Sequence, residues 1–173
     1  MRLEEEDEHF SNRDVANQSV NEGHEEELLS YLDDIGREDG ALILYEMPNF
    51  CEKRKGVWFL QLNPILYDTP GQAARALQDF RTRSYPGDDV FGRPESTCSL
   101  TGPGEDAFAQ MQAGKRGDEE VRVRGAEVYF LRANAVVHIS VYGAESSLSD
   151  SALQGMALDY AEQVDNYIVS KGY

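Results

Sequence analysis

The sequence predicts a single α+β domain, an antiparallel sheet with amphipathic helices packed on it. Two observations support this: two pairs of strand-like runs, and an amphipathic helical segment after each pair. Because this order of elements occurs twice, we expect two similar ββα-type halves at about 21–83 and 105–173. The stretch 84–104, rich in Gly, Pro and Ser, is expected to connect them.

The charge balance of the 173-residue chain restricts its partners. It holds 32 acidic and 16 basic residues, a net charge of −16. Such a surface repels phosphate backbones and anionic lipids, so nucleic acid and membrane surfaces are excluded as expected partners. No apolar run approaches the roughly 18 residues that span a bilayer, so we expect no membrane-embedded segment. Residues 1–20 contain the run EEEDE and are expected to form an acidic, irregular, flexible leader before a domain at 21–173.

The first half begins with a helix and continues with two strands. Asn21 is a candidate N-cap and Gly36 a candidate stop, and between them lies an apolar stripe of Leu28, Leu29, Leu32 and Ile35. The runs GALILYEM (40–47) and VWFLQLNPILY (57–67) predict strands. Pro64 interrupts the second run and indicates a bulge or an edge position there.

The segment TPGQAARALQDFRTR carries the clearest helix signal of the chain. Thr69 is the expected N-cap, Pro70 stands at the first helical position, and Gln72 completes a capping box. The helix is expected to end near Arg83, and its apolar face consists of Ala73, Ala76, Leu77 and Phe80.

The second half is expected to contain a hairpin and a long helix. EDAFAQMQAG (105–114) favours a strand, with a helix as the alternative. The runs 126–132 and 135–143 flank Ala133-Asn134, which is the length of a two-residue hairpin turn. The C-terminal segment predicts a helix whose stripe is Leu153, Met156, Ala157, Tyr160, Ala161, Val164, Tyr167 and Ile168.

Three stretches resemble a recurring pattern in uncharacterised exported bacterial proteins. FSNRDVANQS (10–19) is similar to their SNxxVA motif, LLSYLDDIGREDGALILYE (28–46) to their GRxxGY motif, and FLRANAVVHISVYG (130–143) to their RRGNVVVxVxV hairpin. Ala41 stands where Tyr is usual, and Ala133 where Gly is usual. The resemblance implies a secreted or lipid-anchored protein, with a fold like that of PsbP and Mog1, and it transfers no catalytic residue.

The compartment is therefore expected to be extracytoplasmic, with an export signal removed before Met1. MRLEEEDEHF has neither an apolar signal region nor a cleavage site, so a cytoplasmic protein is the alternative. Cys51 and Cys98 stand in loop-like contexts, which favours a disulfide over buried thiols. A bridge would stabilise the fold by about 3–4 kcal/mol on the chain-entropy model, and two unpaired thiols remain the alternative.

His138 interrupts an apolar run, and the register of the hairpin decides what it faces. A two-residue turn places Phe130 opposite Val137 on the apolar side and gives the other side three pairs: Leu131 with Val136, Tyr129 with His138, and Glu127 with Ser140. A serine nucleophile normally sits at a sharp turn or a helix start, whereas Ser140 lies mid-strand. We interpret this side as a polar sheet face, either partly solvated or facing a ligand.

Aromatic residues extend that face. Trp58 and Phe59 point to opposite sides of one strand, so at least one ring must find cover outside the simple core. With Tyr129 and Tyr142, that ring would form an apolar patch, which is typical of partner or ligand sites. Alternatively, another segment of the chain packs over this face as a second layer.

We therefore predict a non-catalytic binding or accessory module for an unknown protein or small-molecule ligand. The candidate ligand-binding residues are Trp58, Tyr129, His138, Ser140 and Tyr142. The alternative is a hydrolase-like enzyme that uses His138 with Ser140, Tyr129 or Glu127. No metal, cofactor or nucleotide site is predicted, since the loop with Asp88 and Asp89 lacks EF-hand spacing and TGPGED lacks the P-loop lysine. Nothing in the sequence sets the oligomeric state.

Overall fold

The computed structural model describes residues 4–18, 23–46, 56–82, 94–116, 121–146 and 148–172. These residues form one antiparallel sheet of seven strands in the order β1-β2-β3-β7-β6-β5-β4. The strands are β1 Glu4–His9, β2 Arg37–Glu46, β3 Val57–Tyr67, β4 Ser96–Ser99, β5 Asp106–Arg116, β6 Val121–Arg132 and β7 Ala135–Ala144. The helices are α1 Asn12–Ala16, α2 Glu25–Asp34, α3 Pro70–Thr82 and α4 Asp150–Ser170. The predicted α+β class is confirmed.

Helix α4 covers one face of the sheet. Ser149 caps it, because its Oγ accepts a hydrogen bond from the backbone N–H of Ala152 at 3.2 Å. Its buried residues are Leu153, Ala157 and Ala161, and they pack on small and branched side chains of the three strands β5, β6 and β7. Tyr160 and Tyr167, predicted in the apolar stripe, are instead 42 % and 63 % exposed. The buried stripe is narrower than predicted because small alanines let the helix approach the sheet closely.

Helix α3 covers one end of the opposite face. Thr69 caps it as predicted, since Oγ1 accepts from the backbone N–H of Gln72 at 3.3 Å, while the hydroxyl donates to Gln72 Oε1 at 2.7 Å. Its buried residues Ala73, Ala76 and Leu77 pack in a second core. Each of α3 and α4 follows two neighbouring strands, but the two helices lie on opposite faces of one sheet, and the two similar halves stay a prediction.

The hairpin of β6 and β7 has the predicted register. Phe130 pairs with Val137, Tyr129 with His138, and Glu127 with Ser140. Ala133 in its turn has φ +51°, the one positive φ outside glycine in the described part of the chain. An alanine side chain is strained there, because its Cβ crowds the backbone in the left-handed region.

Replacing Ala133 with asparagine is expected to raise the free energy of unfolding by about 0.5–1 kcal/mol, since asparagine tolerates this conformation better. Urea denaturation measures the change. Ala74→Asn is the matched control, because Ala74 is exposed in α3 and the same change there costs about 0.5 kcal/mol of helix propensity. If both substitutions change the free energy of unfolding in the same direction, the argument from backbone strain is contradicted.

Strand β3 has the predicted bounds, but the bulge expected at Pro64 lies elsewhere. The strand is internal, between β2 and β7, and its register shifts fall between Val57 and Phe59 on the β7 side and opposite Arg37–Asp39 on the β2 side. The sheet accommodates Pro64 because a proline removes only one donor from the ladder.

The N-terminal part of the chain is more ordered than predicted. Strand β1 and helix α1 occur where an irregular leader was expected, because β1 pairs with β2, a tertiary contact that its acidic composition does not reveal. Helix α2 begins at Glu25, with His24 at the N-cap position. The predicted cap Asn21 lies outside the described residues.

The connection between the halves also contains a strand. Strand β4 pairs with β5, so Cys98 lies in a short exposed edge strand and not in a loop. Cys51, Asp88 and Asp89 lie outside the described residues, and the proposed disulfide stays a prediction. The segment 105–114 belongs to strand β5, which confirms the strand over the helix.

Candidate ligand-binding pocket

A pocket of about 560 Å³ lies on the sheet face opposite α4. The sheet forms its floor, and residues within 10–18 and 28–37 form one wall. Phe80 of α3 lines another side. The polar sheet face is therefore partly covered by residues of 10–18 and 28–37, and the cover leaves a pocket.

Three rings stack along this face of the sheet, and two of them, Tyr129 and His138, line the pocket. Phe108, Tyr129 and His138 are register partners on β5, β6 and β7. The ring centroids of Phe108 and Tyr129 lie 4.8 Å apart and those of Tyr129 and His138 4.2 Å apart, with interplanar angles of 7° and 5°. Phe80 adds a fourth ring at 5.5 Å from Tyr129. Because the rings cover one another's faces across neighbouring strands, the row presents ring edges above the sheet.

Glu127 is the polar centre of the floor. This buried carboxylate accepts from the Tyr142 hydroxyl at 2.6 Å, from the Tyr129 hydroxyl at 3.1 Å and from Gln112 Nε2 at 3.3 Å. Hydrogen bonds to an ionised acceptor are stronger than neutral ones, and they offset the cost of burying the charge. Glu127 therefore fixes two tyrosines that line the pocket.

Tyr142 depends on a glycine for its position. A Cβ at Gly125 would lie 2.3 Å from Tyr142 Cε1, so the ring lies directly over this residue. The ring also stacks on Phe59, with centroids 4.8 Å apart. The missing side chain at Gly125 thus makes room for the rings at this end of the pocket.

Gly125→Ala is expected to displace the Tyr142 ring, weaken its bond to Glu127 and destabilise the fold by about 1–2 kcal/mol. Thermal denaturation measures the loss, and near-ultraviolet circular dichroism reports the tyrosine environment. Gly114→Ala is the control, because the nearest atom to its added Cβ would be Val123 Cγ2 at 3.7 Å. A Gly125→Ala variant with the control's stability and spectrum would show that Tyr142 does not need the space.

The N-terminal wall is built from the SNxxVA and GRxxG motifs. Ser11 and Asp14 form a capping box that starts α1, and the hydrogen bond from Ser11 lowers the pKa of Asp14. Asn12 and Arg37 bond reciprocally: Arg37 Nη1 donates to Asn12 Oδ1 at 2.9 Å, and Asn12 Nδ2 donates to the Arg37 carbonyl at 3.0 Å. Gly40 makes room for this arginine, since a Cβ there would lie 2.3 Å from Nη2.

Arg37 is a buried cation at the pocket wall. Its residue is 7 % exposed, and Nη2 donates to the carbonyl of Phe10 at 3.0 Å. Burial lowers the pKa of Arg37, and the nearby Tyr67 and Asp39 oppose that effect. Among the described residues its hydrogen bonds go only to neutral oxygens.

Two contacts join α2 to α3 at the rim. The Tyr31 hydroxyl donates to Asp79 Oδ2 at 2.8 Å, and Arg75 Nη2 lies 3.0 Å from Asp34 Oδ2. Burial, followed by the bond to Asp79, raises the pKa of the Tyr31 phenol. Because Tyr31 also lines the pocket, this wall is anchored to α3.

The pocket brings together four of the five residues predicted to bind a ligand. Tyr129, His138, Ser140 and Tyr142 all line it. Trp58 does not: it is 2 % exposed and lies in a cluster with Val123 and Ala144, because the bulge beside it changes the side that its ring takes. Phe59 lines the pocket in its place.

Sequence reasoning missed the wall residues Arg37 and Asn12. Both residues belong to motifs of the noted resemblance, so a signal was present. Neither motif indicates a binding site by itself, because the two residues meet only in the folded chain.

The fold and the pocket together define an α+β domain with a pocket on one face of its sheet. No family model matches the sequence, and no curated protein matches it significantly. Among solved structures, the extracellular domain of PknH from Mycobacterium tuberculosis is similar with a TM-score of 0.41 and 10 % identity, over 80 % of this chain and 69 % of that chain. A likeness at this level supports no inference about function. No helix in the described ranges is long and apolar enough to cross a membrane.

Proposed function

We propose that the chain is a non-catalytic binding module whose ligand is a small organic molecule held in the pocket. The observation that carries this proposal is the cavity itself, because its volume of about 560 Å³ falls within the range typical of ligand sites. Its lining has the usual composition of such sites, with apolar and aromatic walls and a few convergent polar groups. Glu127 and His138 are among those polar groups.

The hydrolase alternative has less support. Ser140 is buried in the middle of β7, away from the loop or helix start that usually supplies backbone donors to an oxyanion. Glu127 accepts hydrogen bonds from two tyrosines, which is a positioning arrangement. If the wild-type chain hydrolyses p-nitrophenyl esters and His138→Ala loses this activity, the hydrolase alternative is supported.

The extracytoplasmic placement is part of the proposal and rests on the motif resemblance. Asn12 and Arg37, which belong to two of those motifs, bond to each other in the pocket wall. The genomic sequence upstream of the codon for Arg2 tests the placement. An encoded export signal or lipobox supports it, and a reading frame that starts at Met1 overturns it.

Binding of N-phenyl-1-naphthylamine, an uncharged apolar fluorophore, tests the binding function. The wild-type chain is expected to bind it saturably at one site. Gln61→Phe fills the pocket from β3 and is expected to weaken binding about tenfold or more, with the melting temperature retained.

Gln163→Phe is the matched control, because Gln163 is exposed on α4 beyond the opposite face of the sheet. The control is expected to bind the probe like the wild type. Absence of saturable binding, or equal affinities for Gln61→Phe and the wild type, would contradict the proposed site.

A further inference from the structure

Arg37 has an unusual electrostatic setting, and it indicates the chemical class of the ligand. Arginine is rarely buried without a carboxylate partner, because removing a cation from water costs several kcal/mol that only close countercharge and full hydrogen bonding offset. At 7 % exposure, Arg37 donates to Asn12 Oδ1 and to the Phe10 carbonyl, both neutral. Within the described part of the chain no carboxylate is in direct contact with it, while Asp39 and Asp14 raise its pKa from farther away.

The guanidinium also retains donor capacity beyond these two bonds. It has five N–H groups in a planar fork that matches a carboxylate. The two hydrogen bonds to the wall use one donor on each terminal nitrogen. The remaining donors belong to a residue that lines the pocket. An anionic group would supply the direct ion-pair partner that Asp39 and Asp14, which act on Arg37 from farther away, do not.

The positive and the negative side chain lie toward opposite ends of the pocket. The Arg37 guanidinium lies beside Gly40, which pairs with Ile65 on β3, whereas Glu127 is joined through Ser140 to Gln61 on the same strand. Ile65 and Gln61 are four residues apart, a separation of about 13 Å along the strand. Glu127 therefore repels an anion from one end of the pocket while Arg37 attracts it to the other.

Apolar side chains line the wall near Arg37. Leu28 and Leu32 come from α2, and Ile35 follows that helix. Ile65 lies on β3, two residues before Tyr67. These residues offer a hydrocarbon surface beside the cation.

We propose that the pocket binds an amphipathic organic acid, with its carboxylate on Arg37 and its hydrocarbon body along the apolar wall. This inference rests on the proposed binding function and adds the class and orientation of the ligand. The net charge of −16 opposes anions at long range, so a preference for an acid over the corresponding alcohol must arise locally.

Competition against bound N-phenyl-1-naphthylamine by decanoate and by decan-1-ol tests the proposal, since the two chains differ in their head group. For the wild type, decanoate is expected to compete at an about tenfold lower concentration than decanol. Arg37→Gln is expected to abolish this preference while decanol still competes, and Arg37→Lys to retain part of it. Arg122→Gln is the control, because Arg122 is exposed on β6 and does not line the pocket; the preference is expected to persist.

The outcomes separate the two proposals. If neither compound competes and the fluorophore does not bind, the binding function itself fails. If decanoate and decanol compete equally, or if the preference survives Arg37→Gln, the binding function stands and the acid assignment is overturned.

A measurement on the wild type covers the case in which Arg37→Gln does not fold. Decanoate labelled with ¹³C at the carboxyl is titrated by NMR in the bound state. A carboxylate against a guanidinium is expected to have a pKa below that of free decanoate, whereas burial in the apolar wall alone would raise it. A bound pKa equal to or above the free value overturns the assignment.

Discussion

Phe130→Ala is expected to lower the free energy of unfolding by about 3–5 kcal/mol, the largest effect of any single substitution considered for this chain. The Phe130 side chain is 0 % exposed in the core between α4 and the sheet. A Cβ at Gly104 would lie 2.9 Å from Phe130 Cδ2, so the backbone beside the ring is already closely packed. Alanine would leave a cavity that these surroundings fill only partly, and the lost contacts add to the lost transfer free energy.

Urea denaturation followed by far-ultraviolet circular dichroism measures this loss. Tyr167→Ala is the control, since Tyr167 is 63 % exposed on α4 and its removal is expected to change stability by less than about 0.5 kcal/mol. Phe130 lies on the face opposite the pocket, so the folded variant is expected to bind the naphthylamine probe normally. A loss below about 1 kcal/mol would contradict the tight packing of this core.

Asp165→Ala is expected to destabilise the fold by about 2–4 kcal/mol. Arg132 and Asp165 form a two-pronged ion pair, with Nε 2.9 Å from Oδ1 and Nη2 2.7 Å from Oδ2. The Asp165 side chain is 11 % exposed and that of Arg132 21 % exposed, so the removal of one partner leaves a largely desolvated charge. The pair joins the end of β6 to α4, which spreads the loss over two elements.

A double-mutant cycle separates the ion pair from simple packing. The double variant Arg132→Leu with Asp165→Leu is expected to be more stable than Asp165→Leu alone, because no charge is left without its partner. The exposed pair of Arg13 and Glu26 is the control, and Glu26→Ala is expected to leave stability unchanged within error. Additive effects of the two leucine substitutions would show that the pair contributes only through burial.

The elements with strong local signals could be predicted from the sequence. The cap at Thr69 places a side-chain oxygen near the first N–H groups of α3, which requires no distant partner. The hairpin turn at Ala133-Asn134 fixes the register of β6 and β7, and the register then assigns every side chain to a face. For this reason Tyr129 and His138 could be placed together on the polar face before the fold was known.

The elements that depend on distant contacts could not be predicted. Strand β1 has no hydrophobic alternation, and it exists because β2 offers hydrogen-bonding groups to its backbone. The side taken by Trp58 depends on the bulge, which breaks the two-residue period on which strand predictions rest. Arg37 joins the site only because α1 supplies Asn12, 25 residues earlier in the chain, as its partner.

The acidic N-terminal strand has a consequence for self-association. Strand β1 is one outer edge of the sheet, and five of the six residues in its sequence, EEEDEH, are acidic. An outer strand offers unused backbone groups to any other chain, and two copies that joined there would bring these acidic runs side by side. The other outer strand, β4, is only four residues long, which leaves little backbone to template a growing sheet. We therefore expect the acidic sequence of β1 to oppose edge-to-edge pairing of two copies at neutral pH.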